Sequence, residues 1–162
     1  MLFPEQDHPS PNAASSPAHE RRGVCFHHSV LDFPAALARL TDPVSRVSYH
    51  VLIALDGARA RLVRDDHVAW HAGVSSFQGR GDCNAFLLGV AFAGDTYQHP
   101  LTEAQVASAL EWLRLRWRPL AWTVEWMTDH RQIAPGRKDD LNPTEWARLR
   151  AAIVDEFSGP AG

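Results

Sequence analysis

The chain has 162 residues, enough to bury one hydrophobic core and too few for two. Of these, 45% are hydrophobic and 22% charged, with a formal net charge of −3, which gives no electrostatic reason to expect nucleic acid or an anionic membrane as a partner. No window approaches the roughly 18–20 continuous apolar residues of a membrane span. The N-terminus lacks the basic start and apolar stretch of a secretory signal, so a cytoplasmic protein is expected; separately, a monomer is expected.

Residues 1–22 read as a disordered or loosely attached arm, with Pro4, Pro9, Pro11 and Pro17 among small and polar residues and little that is apolar. Gly23 to His28 is short, apolar and β-favouring, which predicts a strand ending at the histidines. Phe33 to Leu40 reads as a short helix stopped at Thr41-Asp42-Pro43. From Val47 to Leu55 apolar residues alternate, predicting a strand with Val47, Tyr49, Val51 and Ile53 on one face. Asp56-Gly57 is a hairpin signal, and Ala58 to Arg64 the returning strand. Val74 to Cys83 reads as a long surface loop, and Phe86 to Phe92 as a buried strand.

Thr102-x-x-Gln105 is a capping box that opens a helix running to about Trp117. Trp122 to Met127 reads as a further strand leading to His130. Asn142-Pro143-Thr144-Glu145 combines an N-cap with Pro at the first helical position and opens a helix to about Phe157. The expectation is an α/β fold: one domain over residues 23–158, with a central mixed β-sheet flanked by helices and a tail at 159–162.

Nine histidines and six tryptophans are the unusual entries in the composition. Zinc in a hydrolase takes three protein ligands and keeps a fourth position open. His27 closes the first strand, His130 follows a late one, and Asp140 lies further along the same loop. Neighbouring residues on a strand face opposite ways, so at most one of His27 and His28 can point at a given metal. Spacing does not choose between them. Cys25 and Cys83 have neither the density nor the spacing of a disulfide scaffold or a Cys-rich zinc site. Cys25 is the nearest candidate for a fourth ligand, should the site be structural.

Five stretches, in order, resemble the zinc-dependent N-acetylmuramoyl-L-alanine amidases, the family of AmpD-type amidases, phage lysozyme-type amidases and peptidoglycan recognition proteins. They are Phe26-His27-His28-Ser29; Val47 to Ile53 with Asp56-Gly57; Ala69-Trp70-His71-Ala72-Gly73-Val74-Ser75 with Cys83-Asn84; Leu88 to Gly94; and His130 to Asp140 with Pro143. Together they cover residues 23–150. The resemblance implies that Zn2+ is held by His27, His130 and Asp140, that Lys138 is catalytic, and that His71 and Asn84 contact the muropeptide or shape its cleft. Trp70 is expected to pack, and His50 to lie in the core or behind the site.

The implied reaction is hydrolysis of the amide between N-acetylmuramic acid and L-alanine in peptidoglycan fragments, anhydro-muropeptides being favoured, or in the wall itself. AmpD-type members carry a glutamate at the position of Ala91, where this chain has no carboxylate. Tyr49 stands where the phage-type members have a functional tyrosine, which makes Tyr49 and Lys138 the expected catalytic pair. The alternative on the same fold is a non-catalytic peptidoglycan-binding receptor. Such receptors lose a zinc ligand, and this sequence keeps all three.

Overall fold

The fold was obtained as a computed structural model, described over residues 2–159. In chain order the strands and helices are β1 (Glu5–Asp7), β2 (Ala13–Ala14), β3 (Gly23–His28), α1 (Phe33–Leu40), β4 (Val51–Ile53), β5 (Arg59–Arg61), β6 (Val68–Ala69), β7 (Ser76–Phe77), β8 (Arg80–Gly81), β9 (Leu87–Phe92), α2 (Glu103–Trp117), β10 (Met127–Asp129), α3 (His130–Ile133) and α4 (Pro143–Phe157). The main sheet runs β1-β5-β4-β9-β3-β10. β10, β3, β9 and β4 are parallel, β4 and β5 form the hairpin over Asp56-Gly57, and β1 lies parallel to β5. The mixed sheet with flanking helices is the architecture the sequence predicts.

Both central strands, β3 and β9, are buried along their whole length, and alternation decides what each residue meets. Val24 and Phe26 of β3, Leu88, Val90 and Phe92 of β9, and Val51 and Ile53 of β4 face α2 and α4, where Trp112, Leu113, Trp146, Leu149 and Ile153 complete the main core. Cys25, Leu87, Leu52 and Ala91 contribute to two smaller clusters that include Ala36 and Leu40 of α1 and Ile133 of α3. His27 shares that second face by alternation. The capping box at Thr102 and Gln105 forms as predicted, and Asn142 caps α4 through Thr144 N.

Three expectations are corrected. The first 22 residues do not hang loose. Glu5 to Asp7 pair with Arg59 to Arg61, and Ala13-Ala14 pair with Val68-Ala69. The attachment is polar, which is why an inventory of apolar residues misses it. Buried Arg59 meets Glu5 at 3.4 Å and Glu111 at 3.1 Å, and Glu111 in turn accepts from Leu2 N. The Asn12 amide, 1% exposed, donates to the carbonyls of Leu40, Asp42 and Val47, tying the arm to the end of α1.

Second, the strand expected over 47–55 is paired only at Val51–Ile53. The His50 carbonyl accepts from both Leu62 N and Val63 N, and the register of alternation breaks there. Val47 and Tyr49 consequently pack with Leu52 and Ala91, not with Val51 and Ile53. Third, the loop at 74–83 contains the small hairpin β7–β8, and residues 124–126 form a 3-10 turn ahead of β10. Of the tail placed at 159–162, only Gly159 falls within the described residues. Among those residues no helix is long and apolar enough to cross a membrane.

Candidate metal centre

The C-terminal ends of β3 and β10 lie side by side, with Asp129 opposite Phe26, so His27 and His130 emerge together. His130 opens α3, whose N-cap is Asp129. The Asp129 carboxylate is fully buried. It accepts from Gln132 N and, across the loop, from Leu141 N at 3.0 Å, which returns the chain so that Asp140 lands beside His130. Sequence reasoning passed over Asp129, although Asp129-x-x-Gln132 is a helix-start pattern.

The three expected ligands meet. His27 Nδ1 is 3.0 Å from His130 Nδ1 and 3.6 Å from Asp140 Oδ2, and His130 Nδ1 is 3.4 Å from Asp140 Oδ1. Ligand atoms held at roughly 2.0–2.1 Å in a tetrahedron stand roughly 3.3 Å apart, so this donor set has the spacing and the N/N/O chemistry of a zinc or similar divalent site. His130 Nε2 faces the Ala72 carbonyl at 3.1 Å. A carbonyl only accepts, so Nε2 carries the proton and Nδ1 keeps its lone pair for the centre.

Burial, reinforced by the neighbouring His130, lowers the His27 pKa to about 4. The ring is therefore neutral, as a ligand must be, throughout the physiological range. Burial also acts to raise the Asp140 carboxyl, but hydrogen bonding to His130 and His27 prevails and holds it below the usual carboxylate range.

Alternation separates His27 from His28, as spacing could not. His28 Nδ1 accepts from Thr96 N at 3.1 Å, and its own backbone N–H donates to Asp140. Cys25, two residues before His27, groups with His27 and His71 and not with His130 and Asp140. Burial pushes its thiol well above the ordinary range.

The centre opens on a cavity of about 560 Å³ lined by Tyr49, His71, Asn84, Lys138 and Asp140 among others. The Tyr49 ring lies 4.8 Å from the His27 ring, and its hydroxyl has no hydrogen-bond partner among the described residues. Burial pushes the phenol above its ordinary pKa. Ala91 sits opposite His27 in the β3–β9 register, fully buried, so no side chain of β9 brings a carboxylate to this point. Lys138 is exposed on the cavity wall. Trp70, expected to pack, is 38% exposed and also lines the cavity.

His71 and Asn84 are turned partly inward. Asn84 Oδ1 accepts from the backbone N–H of His71 and Ala72 at 3.0 and 2.8 Å, and His71 spends both ring nitrogens on the protein. Both residues nevertheless line the cavity. Arg137, unnoticed in the sequence, donates to the carbonyls of Ala72 and Val74 and clamps that loop over the His130 side of the site.

His50 lies behind the centre, 1% exposed, accepting from Gly89 N and donating to the His67 carbonyl. Burial lowers its pKa to about 3, with His19 adding to the effect. An unfolded histidine takes its proton near pH 6.5, the folded one only near 3. The stability His50 contributes is therefore complete above about pH 6.5 and is lost as pH falls from there toward about 3, by roughly 1.4 kcal/mol per pH unit. In metal-free protein, His50→Asn, which keeps an acceptor for Gly89 N, is expected to flatten denaturant-measured stability against pH across that window. An unchanged slope would remove His50 as a source of acid sensitivity.

The family model for N-acetylmuramoyl-L-alanine amidase matches residues 17–143. The chain belongs to the N-acetylmuramoyl-L-alanine amidase family. A 1,6-anhydro-N-acetylmuramyl-L-alanine amidase AmpD from Citrobacter freundii is 44% identical over 114 residues, which is 67% of this chain and 58% of that protein. The chain thus matches less than two thirds of the length of that curated amidase. A crystal structure of an AmpD selenomethionine derivative superposes with a TM-score of 0.77 at 31% identity, covering 94% of this chain and 96% of the other. AmpDh3 from Pseudomonas aeruginosa, solved in complex with an anhydromuramic pentapeptide, gives a TM-score of 0.71 at 25% identity over 85% of this chain and 62% of that one.

Proposed function

We propose that this amidase-family chain hydrolyses the amide joining N-acetylmuramic acid to L-alanine in peptidoglycan fragments, with zinc held by His27, His130 and Asp140. The observation that carries the reading is the convergence of two imidazole nitrogens and a carboxylate at 3.0–3.6 Å on the floor of an open cavity. Zinc bound there supplies Lewis acidity and a water acidic enough to serve as nucleophile near neutral pH. Lys138, on the wall of the same cavity, has an ammonium suited to stabilising the negative charge that develops on the scissile carbonyl oxygen. Tyr49, whose ring packs against that of His27 on the cavity wall, has a protonated hydroxyl suited to passing a proton toward the departing amine of L-alanine.

Soluble anhydro-muropeptides are favoured over intact wall. Arg39 and Arg46 join Lys138 around the cavity and suit the carboxylates of a short stem peptide. The test compares purified anhydro-muropeptides with intact sacculi, following the release of peptides that begin with L-alanine. Fast cleavage of the soluble fragment with one zinc per chain is expected. Zinc-loaded protein that binds muropeptide without cleaving it would make the chain a receptor, and faster cleavage of sacculi would place its substrate in the wall.

A further inference from the structure

His71, at the cavity, has both ring nitrogens used inside the protein, and the order of its contacts has a direction. Nε2 lies 2.8 Å from the Leu87 carbonyl and Nδ1 lies 2.9 Å from Nε2 of His27. The carbonyl only accepts, so His71 Nε2 carries the proton. A neutral imidazole has one N–H, so His71 Nδ1 is an acceptor. His27 Nε2 must then donate to it, and the remaining His27 nitrogen, Nδ1, is left with its lone pair directed at His130 and Asp140.

Resting on the metal reading above, we infer that His71 is a positioning residue. It relays the Leu87 carbonyl to His27, fixes the tautomer and ring orientation of that ligand, and so sets the affinity of the centre for its metal.

The surroundings are built for this contact. A Cβ on Gly89 of β9 would come within 2.7 Å of His71 Cγ, so the ring lies flat against strand backbone that only glycine leaves clear. Asn84 holds the His71 and Ala72 amides from the other side. His19, from the N-terminal arm, donates to the same Leu87 carbonyl at 3.1 Å. On the opposite side of the centre His130 is oriented in the same fashion by the Ala72 carbonyl. Each ligand imidazole therefore has its second nitrogen committed, and for His27 the commitment runs through another side chain.

The experiment measures zinc dissociation constants by chelator competition for the wild type, His71→Leu and His71→Asn, alongside thermal unfolding of the metal-free forms. Leucine removes the acceptor, and zinc affinity is expected to fall about 10–100-fold, the usual worth of an outer partner to a ligand histidine. Asparagine places an oxygen where Nδ1 stood and is expected to restore affinity to within a few-fold of wild type. Long-range proton–nitrogen NMR on the wild type provides a reading independent of any variant's folding, with both His71 and His27 expected to be protonated at Nε2. Failure of the wild type to bind zinc would overturn the metal reading and this inference together. A wild type that binds zinc, with either His71→Leu equally tight or His71 protonated at Nδ1, would overturn the positioning role alone.

Discussion

Replacing His130 with alanine is expected to remove zinc and hydrolysis together. His130 Nδ1 lies 3.0 Å from the His27 nitrogen and 3.4 Å from the Asp140 oxygen, so its loss leaves two donors and two open positions where a closed set of three stood. Enzymes accelerate their reactions by about 10⁶-fold or more, and here the nucleophile and the main electrophile both depend on the metal. Turnover should fall by at least about 10⁴-fold, and elemental analysis should show zinc dropping from one per chain to near zero after dialysis. The accompanying loss of the His130–Ala72 contact frees one buried carbonyl that Arg137 continues to occupy, so the fold should persist, as circular dichroism can verify. A variant that kept stoichiometric zinc would remove His130 from the ligand set.

Tyr49→Phe separates the proton chemistry from the metal. The substitution deletes one oxygen and keeps the ring that packs 4.8 Å from His27, so zinc content and stability should stay as they are. Turnover is expected to fall by ~10²–10⁴-fold, the range of general acid–base catalysis. Burial raises the phenol pKa, which keeps the hydroxyl protonated at neutral pH and fits a donor better than a base. The size of the effect follows from Ala91. With a methyl group opposite His27 in the sheet, β9 brings no carboxylate to take over the transfer. Near-normal turnover would show that the proton reaches the leaving amine by another route, and Lys138 would be the next residue to replace.

The parts of the fold legible in the sequence are those that announce themselves through burial period or caps. β3, β9, α1, α2 and α4 all lie within a residue or two of their expected positions, because each carries an apolar pattern bounded by Pro, Gly or a capping side chain. The candidate metal ligands were legible only through family resemblance, since His27 lies more than a hundred positions from His130 and Asp140 and the set has no local signature. His27 and His28 illustrate the limit. Alternation guarantees that one of them faces the site, but which one depends on the face that α2 and α4 cover.

What stayed illegible was held together by polar contacts. The arm binds through Asn12, Glu5 and Leu2 N, none of which an apolar count would notice. The alternation at 47–50 misled for a related reason, since apolar side chains there alternate without a ladder beneath them and the backbone answers to His50 instead. The inward bonds of the His71 ring were illegible as well, because the sequence does not reveal that Gly89 makes room for that ring against the strand.

The arm also settles how the sheet ends. β1 is its outermost strand on that side, only three residues long, flanked by Pro4 and Pro9, and bearing Glu5 and Asp7. A short edge with carboxylates along it and no N–H at its proline boundaries is a poor template for a further strand, so a second molecule finds little to pair with there. Without the arm, the edge would pass to β5, whose Arg59 would lose its bond to Glu5 and whose backbone would stand open. A segment that reads as a loose leader thus closes this side of the sheet with a short, acidic edge.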